Sequence, residues 1–236
     1  MSVEMTNELK MKLRGQGFLS LKEEGFFSVR ALMPAGVVPA NISRKITEIS
    51  EKYGRGYYLL TQRLNIEIPF IKYEDLEKVK AEIESVGAMV GGAGKRVRAV
   101  HACKGTVCRF GLYDVESLTK HFMEKIYKGY YDVTLPNKFR IGVSGCPNSC
   151  SKPQLTDVGL VGKKLGKVDI FIGGIHGRIM QLHGNLLVEE VTLEQAESCI
   201  HKAIDYYREN GEVGERFPKM IQRIGFDKVK EALLSN

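Results

Sequence analysis

The amino-acid sequence predicts an α+β protein in two parts, and three observations carry that reading. Apolar residues switch several times between the two-residue period of a strand and the three-to-four-residue period of a helix. A segment with four glycines, Gly87 to Gly94, separates a first run of elements from a second. Four of the five cysteines fall in two short loops of the second part, each placed just after a predicted strand.

In chain order, residues 1–25 are largely polar and read as an N-terminal extension. Residues 26–33 (FFSVRALM) are apolar and partly β-branched, and predict a strand ending at Pro34. Ile42, Ile46, Ile49 and Tyr53 then share one helical face, with Asn41 as the cap and Gly54 and Gly56 as the stop. Residues 57–68 predict a strand, alternating over Leu64, Ile66 and Ile68 and stopped by Pro69. Helical spacing returns over 74–86, on Leu76, Val79, Ile83 and Val86. This β-α-β-α run, residues 26–90, has the length of a ferredoxin-like half-domain. The second part, residues 91–236, is a mixed α/β domain. It opens with a short strand, Val97 to His101, and a helix from about 114 to 127. Strands follow at 138–144, 157–161 and 168–173, then a long helix over roughly 192–208. Two short helices broken at Gly225 close the chain.

The 236 residues are 43% hydrophobic, enough for proper cores without disulfide staples. No apolar run approaches the ~20 residues that span a bilayer. The polar N-terminus lacks the apolar centre of a signal peptide. These features predict a cytoplasmic protein with no membrane partner, whose cysteines are thiols or metal ligands. The formal net charge of +7 predicts an anionic partner. The basic residues are scattered apart from Lys95-Arg96-Val97-Arg98 and Lys163-Lys164, without a nucleic-acid signature, so a small anion explains the charge as well as nucleic acid does.

The cysteine pairs are Cys103-Lys-Gly-Thr-Val-Cys108 and Cys146-Pro-Asn-Ser-Cys150. Tight turns on rigid strands are how proteins aim several thiolates at one soft metal centre. Spacing alone admits zinc; the Cys-Pro step favours an iron–sulfur cluster, which needs four thiolates. Cys199, inside the long helix beside its apolar face, reads as a small core residue.

Several of these stretches resemble the sulfite and nitrite reductase family. Gly145-Cys-Pro-Asn-Ser-Cys150 with Asp157-Val-Gly-Leu-Val-Gly162 is similar to that family's siroheme/[4Fe–4S] domain. So are Arg98-Ala-Val-His-Ala-Cys103, Phe171-Ile-Gly-Gly174 and the Arg216-Phe217 to Gly225 tail. Thr61-Gln-Arg-Leu-Asn65 resembles the Thr-x-Arg-x-Asn strand of its ferredoxin-like half-domain. The chain departs from the pattern in having four rather than five residues between its first two cysteines, and Leu64 where many members have Gln. The resemblance implies a [4Fe–4S] cluster on Cys103, Cys108, Cys146 and Cys150, with Cys150 shared with a siroheme. It implies Thr61, Asn65, His101 and Lys152 around the cofactors, with Lys95 and Arg96 as weaker candidates for the siroheme carboxylates. Arg63, Arg98, Lys138 and Arg140 become the cations that hold the oxyanion. The alternation Lys138-Phe139-Arg140 puts both of its charges on one face, and lysine, unlike arginine, can deliver a proton.

The implied reaction is six-electron reduction of sulfite to sulfide, or of nitrite to ammonia, with electrons from a separate donor protein. With one unit where larger members have two, a homodimer is the simplest assembly. Two alternatives stand beside this: an electron-transfer subunit without turnover of its own, and a zinc-stapled module that binds nucleic acid.

Overall fold

The computed structural model describes residues 5–177 and 180–235, so the first four residues of the predicted extension lie outside the described part. The chain divides into two compact units after Gly94, inside the glycine-rich segment.

The first unit packs helices on an antiparallel sheet. Helix α1 (Asn7–Gly15) and strand β1 (Phe18–Ser20) come first, from residues that the sequence reading left as an extension. They belong to the fold proper, because Leu13 and Phe18 are buried in the same core as the later elements. Next come β2 (Phe26–Leu32), α2 (Ala40–Tyr53), β3 (Leu59–Leu60), β4 (Ile66–Lys72), α3 (Leu76–Glu84) and β5 (Met89–Val90). The sheet runs β1-β2-β4-β3, with β5 also pairing β2. Ile46 and Ile49 of α2 and Val79 and Ile83 of α3 cover Val29, Ile68 and Ile71, as the apolar periodicity requires.

Three local expectations are corrected. Asn41 lies inside α2, and the cap position is Pro39, which has no side chain to offer the helix. The predicted strand over 57–68 is instead β3, a turn and β4, because Leu64 takes a positive φ of 63° and Thr61 and Asn65 close the turn backbone to backbone (2.8 Å). Pro69 does not stop β4. It sits at a register shift between Phe27↔Ile71 and Val29↔Ile68, where the ladder is already interrupted and a missing N–H costs little.

The second unit is built on a five-stranded sheet of order β12-β9-β8-β7-β6. Its elements are β6 (His101–Ala102), α4 (Val115–Phe122), β7 (Ile141–Ser144), β8 (Val158–Lys164), β9 (Lys167–Ile172), the small pair β10 (Ile175–His176) and β11 (Gln181–Leu182), and β12 (Asn185–Val191), followed by α5 (Leu193–Asn210), α6 (Phe217–Ile224) and α7 (Phe226–Leu234). β6, β7 and β8 are mutually parallel, and β9 turns back antiparallel. Helix α4 runs on as a π-helical turn, Met123–Tyr127, and provides the crossover from β6 to β7. Residues 97–100 and 138–140 are not strands of the sheet; a single parallel bridge, Val97↔Phe139, joins them. Among the described residues, no helix is long and apolar enough to cross a membrane.

Candidate functional site

The second unit gathers its chemistry at the two ends of β7. At the carboxyl end, the parallel strands β6 and β7 deliver the cysteine loops side by side. The Cys103 amide donates to the Val143 carbonyl (3.0 Å), and the Leu112 amide to the Gly145 carbonyl (2.9 Å). The Gly145 amide donates to the Cys103 sulfur (3.2 Å). Glycine makes this approach possible. A Cβ on Gly145 would stand 3.1 Å from the Gly105 Cα and 2.9 Å from Val115 Cγ2, and one on Gly162 only 2.5 Å from the Gly145 carbonyl oxygen.

Side chains brace both loops. Thr106 donates to Asp114 (2.7 Å), the N-cap of α4, and those bonds with the ones from Ser117 hold the Asp114 carboxyl down at about 2. Ser151 donates to the Val143 carbonyl (2.6 Å) and meets the Ser144 hydroxyl (2.7 Å), which turns the segment after Cys150 back onto β7. Tyr113 donates to the Ser144 carbonyl (2.9 Å); burial raises its phenol, and the neighbouring Cys103 and Cys146 raise it further.

Cys103 and Cys146 are thus brought together. Cys108 and Cys150 lie in the same two loops, Cys150 at the surface. The donor set is right for a cluster: four cysteines on two backbone-fixed loops. Among the described residues, no three His, Cys, Asp or Glu side chains converge on a single-ion site. Cys199 stands apart, buried in α5, where burial pushes its thiol up to about 11.

At the amino end of β7 lies a different structure. Asp157 is fully buried, and burial raises its carboxyl. Such a group persists only if it is paired and hydrogen-bonded. It accepts the Arg140 amide (2.8 Å) and two bonds from the Arg216 guanidinium (3.1 Å each), with the Arg140 Nε 3.9 Å away. Arg140 also donates to the His176 carbonyl (3.1 Å). The Nε atoms of Arg140 and Arg216 are buried with no hydrogen-bond partner among the described residues. Arg98 joins through its backbone, its amide donating to the Phe139 carbonyl (2.8 Å). Lys138 completes the group: burial lowers its proton affinity first, then the positive charges of Arg216, Arg140 and Arg98. Beneath them an aromatic trio sets the spacing. Phe217 lies 5.1 Å from Phe139 and 5.4 Å from Tyr207, centroid to centroid, which fixes Arg216 beside the Lys138-Phe139-Arg140 segment.

Arg140 and Arg216 therefore hold one carboxylate, and Lys138 feels the charges of Arg216, Arg140 and Arg98, an excess of positive charge in a half-buried place. Arg216 was not among the sequence-derived site residues. The signal that could have found it is the lone Asp157 heading an apolar strand, which demands a counter-charge. The four residues of β7 separate the cation end from the cysteine loops.

The other expected site residues are placed as follows. His101 donates through Nε2 to the Ser151 carbonyl (3.1 Å), and its ring packs on Gly142 between the two ends. Lys152 is exposed, with a left-handed backbone. Lys95 is exposed too, and Arg96 is engaged by the Tyr131 carbonyl (2.9 Å). Thr61, Arg63 and Asn65 lie in the turn between β3 and β4 of the first unit, not on a strand. There Asn65 accepts the Met33 amide (3.1 Å) and Thr61 accepts the Asn65 amide (3.1 Å), bonds that hold the turn itself.

Two family models match this chain. Residues 93–236 match the nitrite and sulphite reductase 4Fe-4S domain, and residues 20–86 the nitrite/sulfite reductase ferredoxin-like half domain. The chain belongs to the nitrite and sulfite reductase family. An assimilatory-type sulfite reductase of Nitratidesulfovibrio vulgaris is 29% identical over 221 residues, covering 93% of this chain and 97% of that one. The nitrite reductase [NAD(P)H] of Bacillus subtilis is 30% identical over 215 residues, 91% of this chain but 26% of that protein. Among solved structures, the NirA protein of Mycobacterium tuberculosis superposes with a TM-score of 0.85 at 17% identity, covering 97% of this chain and 46% of that one. The α+β fold, a ferredoxin-like half domain followed by the reductase domain, is that of the family.

Proposed function

We propose that this chain is a siroheme- and [4Fe–4S]-dependent reductase that takes sulfite to sulfide, with nitrite to ammonia as the alternative. The convergence of Arg98, Lys138, Arg140 and Arg216 at one end of β7, with the cysteine loops at the other, carries the reading. Cys103, Cys108, Cys146 and Cys150 would hold the cluster, Cys150 on the siroheme side. When bound, the coupled pair supplies electrons and an open iron position for the substrate.

The chain's own residues do the rest. The guanidiniums bind the oxyanion and stabilise charge on each departing oxygen; the buried Nε–H groups of Arg140 and Arg216 have no hydrogen-bond partner among the described residues. Asp157 keeps Arg140 and Arg216 in place before the anion arrives. Lys138 gives up its proton more readily than a surface lysine, because burial and three guanidiniums disfavour its charge. The balance is six electrons and six protons per hydrogen sulfite, yielding hydrosulfide and three waters. Arg63 takes a share in anion binding by its place in the family motif. Two copies about a two-fold axis, with a site per subunit, are the proposed assembly; sedimentation as a monomer with siroheme still bound would remove that part.

The test is the ultraviolet–visible spectrum of anaerobically purified protein, with iron and sulfide counted, followed by sulfite and nitrite turnover. Siroheme bands with a cluster shoulder and consumption of either anion are expected. A brown protein without siroheme bands and without turnover would leave an electron-transfer role, and a colourless protein holding zinc would overturn the reading.

A further inference from the structure

Lys138 and Arg216 come from distant segments of the chain, and the two segments are tied together just ahead of each cation. Asn137 makes the tie with both ends of its carboxamide. Its Nδ2 donates to the Gly214 carbonyl, 77 residues further on (2.8 Å), and its Oδ1 accepts the Lys138 amide (2.8 Å). The Gly214 amide returns a bond to the Pro136 carbonyl (3.0 Å). Beside this pair the Tyr207 hydroxyl donates to the Glu215 carbonyl (2.5 Å) and faces the Asn137 backbone amide. An asparagine that only stabilised its own turn would bond its near neighbours; this one spends its donor on the opposite segment.

The loop that follows α5, residues 211–216, is shaped for this contact. It begins against Pro136: a Cβ on Gly211 would stand 2.7 Å from Pro136 Cγ and 2.7 Å from the Tyr207 carbonyl oxygen. It turns at Gly214, whose φ of 86° suits glycine. Its outer side is closed by Glu215, which accepts Arg223 Nε (2.9 Å), Arg223 Nη2 (2.7 Å) and the Glu212 amide (2.9 Å). Glu212, Val213 and Gly214 are exposed, so apolar burial does not hold the middle of the loop. Hydrogen bonds do, and those on the inner side converge on Asn137 and Tyr207.

We infer that Asn137 is a positioning residue of the anion site, whose carboxamide sets the gap between Lys138 and Arg216. The inference rests on the reading of those two cations as binding groups for the substrate anion. Asn137 itself acts only through its neighbours. Lys138 is faced by Arg216, Arg140 and Arg98, which add to burial in lowering its proton affinity, and by Asp157, which raises it. Arg216 is the strongest of these charges. Opening the clasp lets the Arg216 segment draw back. The anion then loses part of its grip, and Lys138 holds its proton more tightly. Because Lys138 serves as an acid, the basic limb of the pH–rate profile moves to higher pH.

The experiment compares the anaerobically purified wild type with Asn137→Ala and Tyr207→Phe, circular dichroism showing that each keeps its fold. Tyr207→Phe removes one hydroxyl and leaves the ring on Phe139 and Phe217, so it carries the test if Asn137→Ala does not fold. Each protein is acylated with acetic anhydride across a pH series, and the Lys138 peptide is followed by mass spectrometry, the other lysine peptides serving as controls. The labelling midpoint of Lys138 should move to higher pH in both variants, with the control midpoints in place. Sulfite KM should rise about fivefold, as the loss of one hydrogen bond predicts, with kcat unchanged. An unmoved Lys138 midpoint in the folded variants overturns the inference, whatever the rates do, and leaves the reductase reading standing. A shifted midpoint in a protein that turns over neither anion keeps the clasp and removes the reductase reading.

Discussion

At its carboxyl end β7 runs into Gly145 and Cys146, where two backbones touch through glycines and the key bonds are amide to carbonyl or amide to sulfur. At its amino end the same strand begins beside Lys138 and Arg140, where a buried carboxylate organises guanidiniums from distant parts of the chain. The first construction is steric and local, and it tolerates no added atom. The second is electrostatic and long-range, and it tolerates no lost charge. A site for metal ligands needs fixed geometry; a site for an anion needs uncompensated positive charge, and one carboxylate among four cations supplies the order without cancelling the field.

The largest effect is expected at a proposed cluster ligand. Cys150→Ser should abolish the coupled cluster signature, read as loss of iron, sulfide and visible absorbance, while the cation end keeps its fold. Unchanged iron and spectrum would show that the ligand set is wrong. Next in size is Asp157→Asn, which leaves two half-buried guanidiniums without their counter-charge. A destabilisation of ~3–5 kcal/mol is expected from urea unfolding. Because Asp157 also supports the Lys138 charge, the basic limb of the pH–rate profile should move to lower pH. A limb that stays in place would separate Lys138 from the proton transfers.

Gly162→Ala tests the steric end alone. Its Cβ meets the Gly145 carbonyl carbon at 2.7 Å, backbone that cannot swing aside. A cost of about 1–3 kcal/mol and faster cluster loss in air are expected, with anion affinity untouched. The smallest effect is assigned to Asp114→Ala, which removes the α4 cap and the anchor of Thr106, for about 1 kcal/mol. Its pH dependence has a defined sign. The folded-state carboxyl is held at about 2, below the ordinary aspartate value. The contribution is therefore complete above about pH 4 and fades as pH falls toward 2, so wild type and variant should converge in acid denaturation.

The same contrast explains what was legible in the sequence. Local order was: β2, α2 and α5 follow from apolar period, and both cysteine loops from spacing and turn residues. The β3–β4 turn was hidden because apolar alternation continues through Leu64, and only its positive φ breaks the strand. Strand β12 and the α1–β1 segment were missed because they bury few of their side chains, Leu13, Phe18 and Leu187 being the anchors. Lys138 and Arg140 were identified as a pair, since Phe139 alternates with them, but Arg216 lies 59 residues from its partner Asp157. Charge pairs made by tertiary packing leave no periodicity to read.

The burial of Cys199 has a practical consequence. With its thiol pushed up to about 11 inside α5, it is a poor target for alkylating reagents at neutral pH, whereas Cys103 and Cys108 are half-buried and Cys150 is exposed. Reagent uptake by the native chain therefore reports on Cys103, Cys108 and Cys150, with the buried Cys146 and Cys199 joining on unfolding. An aliquot labelled before denaturation gives the fraction of chains that have lost their cluster, and one labelled after it gives the total from the same sample. The protein carries its own internal standard for oxidative damage.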